Sequence, residues 1–190
     1  MNKWEKITFD NQWKIAYIAH ESVDTRSVPK TVAELSSYGE GQMIAQVPVE
    51  FALALEENGI VPEIYKDQNV LQLQKYESYH VFYGCSFPYK KTEGCIPELV
   101  FEGLDTICEI WLNGQLLGKT ENMFIPHTFQ PNNLVEGEND LILHFLPVTM
   151  EARKYEVKAG NTHMPYNFDS LHIRKAPHSY GWDIMPRIVT

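Results

Sequence analysis

The clearest pattern of hydrophobic and polar positions lies in residues 140–146, where apolar side chains occupy both sides of an extended segment. Successive side chains of a strand point to opposite faces, so the odd-numbered positions, two leucines and a phenylalanine, share one face. Ile142, His144 and Leu146 share the other face. A strand that is apolar on both sides is typical of the interior of a packed sheet, and this segment is therefore predicted to be an inner strand.

A second pattern predicts an antiparallel hairpin. The strand-like segment 107–112 ends at Asn113 and Gly114, and a further apolar segment follows. Asn-Gly between two such segments is a strong indication of a hairpin, because a type I′ turn requires positive φ at both central positions. Other strand-like segments occupy residues 13–19, 79–87, 99–103 and 124–129.

Two short helices are predicted between and after these strands. Residues 49–58 carry an apolar stripe, with Pro48 before them and Gly59 placed as the residue that ends the helix. A second helix is predicted at residues 148–158. Several short strands with turn residues between them and few helices favour an all-β protein built as a β-sandwich.

The chain changes character near its end. Residues 1–160 carry the strand patterns and are predicted to form the sandwich domain. Residues 161–190 contain three prolines and four aromatic residues without a sustained period of 2 or 3.6. We interpret this segment as a long loop that is ordered by packing, and long loops of this kind often carry function.

The charge of the chain excludes some classes of partner. With 16 basic and 25 acidic residues, the formal net charge is −9. Nucleic acids and anionic membrane surfaces are bound by clustered Lys and Arg, so neither is expected as a partner. The longest purely apolar run is far shorter than the 18 or more residues of a membrane span. The first residues lack the apolar stretch of a signal peptide, and we expect a cytoplasmic location.

A search for catalytic, metal and cofactor motifs is negative. Cys85, Cys95 and Cys108 have neither zinc-site spacing nor an even number, so they are interpreted as buried apolar residues in a reducing compartment. No nucleotide-binding glycine motif, nucleophile elbow or zinc-protease helix is present. His172 and His178 are interpreted as packing or solvated residues. No cofactor and no metal are expected.

Two blocks of sequence resemble a known family. Residues 101–118, FEGLDTICEIWLNGQLLG, followed by ENMF at 121–124, resemble the amino-terminal jelly-roll domain of glycoside hydrolase family 2, and most closely its β-mannosidase branch. Residues 173–190, IRKAPHSYGWDIMPRIVT, are similar to the stretch that follows this domain, where Arg-Lys-Ala and Gly-Trp-Asp-Trp-Gly-Pro-Arg recur. Residues 47–69 match more loosely. Ile184 and Met185 depart from the family, which has Trp-Gly there.

The resemblance implies a galactose-binding-like jelly roll that is not itself catalytic. Family members hydrolyse a β-glycosidic bond with retention, using two glutamates about 5 Å apart. Both glutamates are expected in a downstream α/β barrel, for which a chain of 190 residues has no room. The isolated chain is therefore predicted to be inactive. Its expected partners are the downstream domains of its own protein and a β-mannoside or related β-glycoside, and a homodimer is left open.

The resemblance also supplies candidate site residues, all of them substrate-binding. Trp182 and Asp183 match the pair that contributes to the subsite for the non-reducing-end sugar, and Arg174 is a further candidate at the pocket rim. A carboxylate accepts hydrogen bonds from adjacent sugar hydroxyls, and an indole offers an apolar plate to the sugar ring. Arg187, like Arg174, also suits a salt-bridging or interdomain role.

Three alternatives to this interpretation stay open. Trp182 and Asp183 could be a packing anchor and a carboxylate that caps a turn. The sandwich could be a stand-alone carbohydrate-binding module, because jelly rolls serve as lectin domains. The chain could also be a purely structural interaction domain. Trp111, Asn113 and Gly114, although characteristic of the family, are predicted to be architectural.

Overall fold

The structure is a computed structural model of the chain, and it describes residues 6–9, 12–24, 27–156, 158, 160, 168–182 and 184–190. Strands dominate the described part. They are β1 (Gln12–Ala19), β2 (Gly41–Gln46), β3 (Tyr79–Tyr89), β4 (Leu99–Phe101), β5 (Cys108–Leu112), β6 (Gln115–Thr120), β7 (His127–Phe129) and β8 (Gly137–Phe145). The α-helices are α1 (Val32–Leu35), α2 (Phe51–Glu57) and α3 (Val148–Ala152). Turns of 3₁₀ helix lie at His20–Ser22, Asn69–Ser78, Phe168–Leu171 and Pro177–Ser179.

Two antiparallel sheets form the sandwich. The larger has the strand order β2-β1-β3-β8-β5-β6, and the smaller consists of β4 and β7. Strand β8 lies between β3 and β5, which confirms the predicted inner strand. The all-β jelly-roll class expected from the sequence is likewise confirmed.

The main core fills the space between the large sheet and the layer that covers it. Ile15 and Leu141 from the sheet meet Phe51 and Leu55 of α2 and Leu99 of β4, and all five are buried. The opposite face of the sheet is also apolar. Phe82 and Ile142 pack there against Val28 and Leu35, which come from the segment containing α1. Both faces of the central strands are therefore covered, as their sequence pattern predicts.

The predicted hairpin joins β5 to β6. Asn113 has φ 48° and Gly114 has φ 76°, the positive values that a type I′ turn requires. The amide Nδ2 of Asn113 donates to the carbonyl of Asn133 at 2.9 Å and to Oδ1 of Asn139 at 2.8 Å. Its Oδ1 accepts from the amide of Asp140 at 2.9 Å. The asparagine thus ties the turn to the start of β8, which confirms its architectural role.

The structure corrects both predicted helices. The first begins at Phe51 and ends at Glu57, so it is shorter than the predicted 49–58. Its end is as expected, because Gly59 donates to the carbonyl of Glu56 at 2.9 Å. The helix predicted at 148–158 ends at Ala152, since residues 153–156 are exposed and offer no apolar stripe to bury.

Other predictions are also corrected. The strand predicted at 124–129 is formed only at its end, by β7. Phe124 is 60% exposed, and its amide donates to Oδ1 of Asn122 in a turn. Strand β2 was not predicted. Cys85 and Cys108 are buried as expected, but Cys95 is exposed, so its interpretation as a buried apolar residue is wrong. None of the helices in the described ranges is long and apolar enough to cross a membrane.

Candidate functional site

The candidate residue Trp182 lies in a tight turn near the end of the chain. Tyr180 and Arg187 face each other in an isolated antiparallel bridge, and the chain reverses between them. The amide of Ile188 donates to the carbonyl of Ser179 at 2.9 Å, which closes the base of this reversal. Gly181 has φ 81°, and a Cβ there would lie 3.3 Å from that of Arg187, so the position favours glycine. We call residues 181–186 the terminal turn.

The terminal turn presents apolar side chains to solvent. Trp182 is 67% exposed and Ile184 is 90% exposed, and Met185 follows with 45%. The indole of Trp182 is therefore not a packing anchor of this domain, and that alternative is wrong for it. Asp183 lies outside the residues that the structure describes. An exposed tryptophan on a braced turn is available to stack on a ligand or to enter an interface.

Arg187 braces the terminal turn from below. Its Nε donates to Oε1 of Glu77 at 2.9 Å, and its Nη2 donates to Oε2 of Glu77 at 2.9 Å and to Oδ2 of Asp169 at 2.7 Å. The guanidinium also lies over the ring of Tyr180, 5.6 Å from its centroid. Burial lowers the pKa of Arg187, but its hydrogen bonds to the two carboxylates outweigh burial and raise it above the usual value. The expected salt-bridging role of Arg187 is confirmed.

A buried lysine holds the preceding part of the same segment. The Nζ of Lys175 donates to Oδ2 of Asp105 at 2.7 Å, and the lysine side chain is only 1% exposed. Next to it, the amide of Ala176 lies 3.0 Å from Sδ of Met123. The Arg-Lys-Ala sequence is therefore anchored to the sandwich through its last two residues.

Arg174 faces outward from this anchored segment. Its backbone forms an isolated parallel bridge with Asn122, and its carbonyl accepts from the amide of Met123 at 3.2 Å. The side chain is exposed. Within the described ranges, no hydrogen bond or ring contact joins Arg174 to Trp182. The structure places both candidates on segments that are fixed to the domain, and both are open to a ligand or to another domain.

Acidic, cysteine and histidine side chains are the groups of this chain that could bind a metal ion. Among the described residues, no group of three or more His, Cys, Asp or Glu side chains is arranged to hold a metal ion. The predicted interpretation of His172 as a packing residue is supported by its ring, which stacks on Tyr155 with centroids 4.9 Å apart.

The fold and the sequence together identify the family. Residues 10–190 match the model of the family described as glycosyl hydrolase 2 galactose-binding domain-like. The chain belongs to glycoside hydrolase family 2. Its domain is the galactose-binding-like amino-terminal type, from the β-mannosidase-like branch of the family.

Individual β-mannosidases are similar to this chain in sequence or in structure. The chain is 30% identical to a β-mannosidase of Rattus norvegicus over 162 residues, and the match covers 76% of this chain and 18% of that one. It is 28% identical to β-mannosidase B of Thermothelomyces thermophilus over 152 residues, covering 77% and 18%. The crystal structure of the β-D-mannosidase from Dictyoglomus thermophilum matches 96% of this chain and 21% of its own, with a TM-score of 0.75 and 28% identity. The family 2 domain described here thus spans about a fifth of the length of these relatives.

Proposed function

We propose that this chain acts as the amino-terminal, non-catalytic domain of a retaining β-glycosidase similar to the β-mannosidases. In this proposal the terminal turn packs against a catalytic domain carried by the same longer protein. The observation that supports it most directly is the exposed apolar surface of Trp182, Ile184 and Met185 on a turn that Arg187 braces. A soluble domain gains nothing from holding such a surface rigid in water, whereas an interface or ligand subsite does.

We further propose that this turn contributes to the sugar subsite of the complete protein. Asp183 would accept hydrogen bonds from two neighbouring hydroxyls of a β-mannoside or related β-glycoside, and Trp182 would cover the C–H face of the ring. Arg174, exposed on the neighbouring segment, would donate to a sugar oxygen at the rim. A polar group that pairs with one hydroxyl discriminates strongly against an epimer that lacks it.

The test uses the protein that carries this chain together with a catalytic domain, assayed with aryl β-mannoside. Asp183→Ala is expected to lower kcat/KM at least tenfold, which corresponds to about 1.4 kcal/mol of lost transition-state binding. Glu93→Ala, at an exposed carboxylate of another loop, is the matched control and is expected to leave kcat/KM unchanged. Wild-type kinetics in Asp183→Ala would contradict the proposed role of this residue.

The competing function is a stand-alone carbohydrate-binding module, for which the exposed Trp182 would be the platform. Titration calorimetry of the 190-residue chain against manno- and galacto-oligosaccharides separates the two. We expect no binding at millimolar sugar, because a subsite formed with a catalytic domain is incomplete without it. Binding at this or a lower concentration that Trp182→Ala abolishes and Ile96→Ala retains would favour the module, since both of these side chains are exposed and apolar.

A further inference from the structure

Three histidines and a glutamate form a continuous line of hydrogen-bonding groups across the large sheet. Nδ1 of His20 lies 2.9 Å from Nε2 of His80, and Nδ1 of His80 lies 2.8 Å from Nε2 of His144. Nδ1 of His144 lies 3.2 Å from Oε2 of Glu109. We call these four side chains the imidazole chain.

The register of the strands creates this line. Glu109 of β5 is directly opposite His144 of β8, and Phe82 of β3 is opposite the same histidine. His80, two residues before Phe82, is therefore the diagonal neighbour of His144 on the same face. His20 follows β1 and is diagonal to His80 in the same way, because Ile18 pairs with His80. Each link joins neighbouring strands, so the line crosses three strand spacings, about 14 Å.

Water has access to the ends of the imidazole chain but not to its middle. His80 is 3% exposed and His144 is 4% exposed, whereas His20 and Glu109 are half-buried. The ring of Phe82 stacks on His144 with centroids 4.2 Å apart, and the rings of His20 and His80 stack at 5.2 Å. The two inner rings therefore exchange protons with each other and with the two ends, and not directly with solvent.

The ionised glutamate fixes the direction of every hydrogen bond in the line. A carboxylate only accepts, so His144 donates from Nδ1 to Glu109 and is left with an accepting Nε2. His80 then donates from Nδ1 to His144, and His20 donates from Nδ1 to His80. All three rings carry their proton on Nδ1 in this state. The outer nitrogen Nε2 of His20 is left as an acceptor.

An added proton reaches the buried pair of His144 and Glu109 only if the two hydrogen bonds between the rings reverse, while His144 continues to donate to Glu109. A proton that binds Nε2 of His20 allows the Nδ1 proton of that ring to pass to Nε2 of His80, and the Nδ1 proton of His80 to pass to Nε2 of His144. His144 then holds two protons beside the Glu109 carboxylate, and the positive charge is paired. In this state the chain holds one proton more than before. Each ring nitrogen along the path has gained or lost one proton. In every hydrogen bond of the line one group donates and the other accepts.

We propose that the imidazole chain is a pH-sensitive switch that carries one proton from the surface at His20 to the His144–Glu109 pair and inverts the two hydrogen bonds between its rings in a single step. In the low-pH state His20 presents a donor to solvent in place of an acceptor. The switch therefore couples the hydrogen-bonding character of His20, which follows β1, to the net charge of the pair at Glu109 of β5. It is independent of the function proposed for the terminal turn.

The surrounding charges support His80 as the group that relays the proton and Glu109 as the partner of the added charge. Burial, together with the neighbouring His144 and His20, lowers the pKa of His80 to about 3, so His80 relays a proton without retaining it. The hydrogen bond from His144 lowers the pKa of Glu109, which keeps its carboxylate as the partner of the incoming charge. Lys119 of β6, opposite Glu109, acts in the same direction on that carboxylate. Lys154, which follows α3 and pairs with Glu151, disfavours a positive charge on His80.

Nuclear magnetic resonance of the chain with ¹⁵N-labelled histidine tests the switch, because ring-nitrogen shifts distinguish the two neutral tautomers and the cation. As the pH falls from 8 to 4, we expect His80 to change from the Nδ1–H to the Nε2–H form without becoming cationic. A His80 ring that keeps one tautomer over this range would overturn the proposal.

A variant of Glu109 and a matched control test the part that the carboxylate has in the switch. Glu109→Gln removes the charge that pairs with His144, so the midpoint of the His80 tautomer change is expected to fall by at least one pH unit, a tenfold weaker proton affinity. Glu102→Gln, at a carboxylate whose side chain is 82% exposed, is expected to leave the midpoint in place. An unchanged midpoint in folded Glu109→Gln protein would contradict the switch, and the tautomer measurement on the wild-type chain decides the matter if that variant does not fold.

Discussion

Lys175 donates to Asp105 across 2.7 Å and thereby joins the segment after the sandwich to the loop before β5. The lysine side chain is 1% exposed, but the aspartate side chain is 36% exposed, so only one partner of the pair is fully buried. Removing the partner of a buried charge is far more costly than removing both charges. The pair therefore fixes the Arg-Lys-Ala segment through the lysine.

The first prediction concerns this pair. Asp105→Asn is expected to lower the free energy of unfolding by about 2 kcal/mol, less than for a fully buried pair because water reaches the carboxylate. The double variant Asp105→Asn with Lys175→Met is expected to regain at least half of that loss, since no unpaired charge remains. Urea denaturation measures both. A double variant that is less stable than Asp105→Asn alone would show that the lysine stabilises the fold by other contacts.

The second prediction concerns the brace below the terminal turn. Arg187→Lys replaces a planar fork that reaches both Glu77 and Asp169 with a single ammonium, and a loss of about 2 kcal/mol is expected. Arg174→Lys is the matched control, and its exposed side chain predicts a change below about 0.5 kcal/mol.

Hydrogen exchange provides a local measure of the same variant. The amide of Ile188 donates to Ser179 at the base of the turn, so its protection is expected to fall in Arg187→Lys and to be retained in Arg174→Lys. Equal protection in the two variants would mean that the turn is held without the arginine.

Much of the sandwich could be predicted because its signals are local. The alternation in β8 shows apolar side chains on both faces, and Asn113 with Gly114 requires a hairpin whatever surrounds it. Strand β2 could not be predicted in this way. It is short and begins at Gly41, which together with Gly39 indicates a turn. It becomes a strand through its pairing with β1, where Met43 lies opposite Ile15.

The candidate sites likewise differ in whether they depend on local sequence or on contacts between distant residues. Trp182 was identified from a resemblance in sequence, and the structure adds that it is exposed on a braced turn. The contact of Lys175 with Asp105 spans 70 positions of the chain, and that of His80 with His144 spans 64. No spacing along the sequence indicates such pairs, because they depend on strand order and register. The imidazole chain was therefore missed, although each of its histidines was visible in the sequence.

The third prediction concerns the hairpin that joins β5 to β6. Asn113→Ala removes the side-chain bonds to Asn133, Asn139 and Asp140 and places a Cβ residue without a polar group at φ 48°. A loss of about 2–3 kcal/mol is expected from these bonds and this conformation together. Asn132→Ala, at an exposed asparagine of the adjacent loop, is expected to change stability by less than about 0.5 kcal/mol. Similar values for the two variants in thermal denaturation would contradict the role assigned to Asn113.

The fourth prediction concerns stability against pH. Burial lowers the pKa of His80 from its usual value of 6.5 to about 3, so between these values the unfolded chain binds a proton that the folded chain does not. The stabilisation that neutral His80 provides is complete above pH 6.5 and is lost as the pH falls toward 3, at about 1.4 kcal/mol per pH unit. In urea titrations at pH 6, 5 and 4, His80→Gln is expected to show a dependence on pH that is weaker by about this amount. His178→Gln removes an exposed histidine outside the imidazole chain and is expected to keep the wild-type slope. If both variants have the same slope, the acid sensitivity of the fold does not arise from the buried ring.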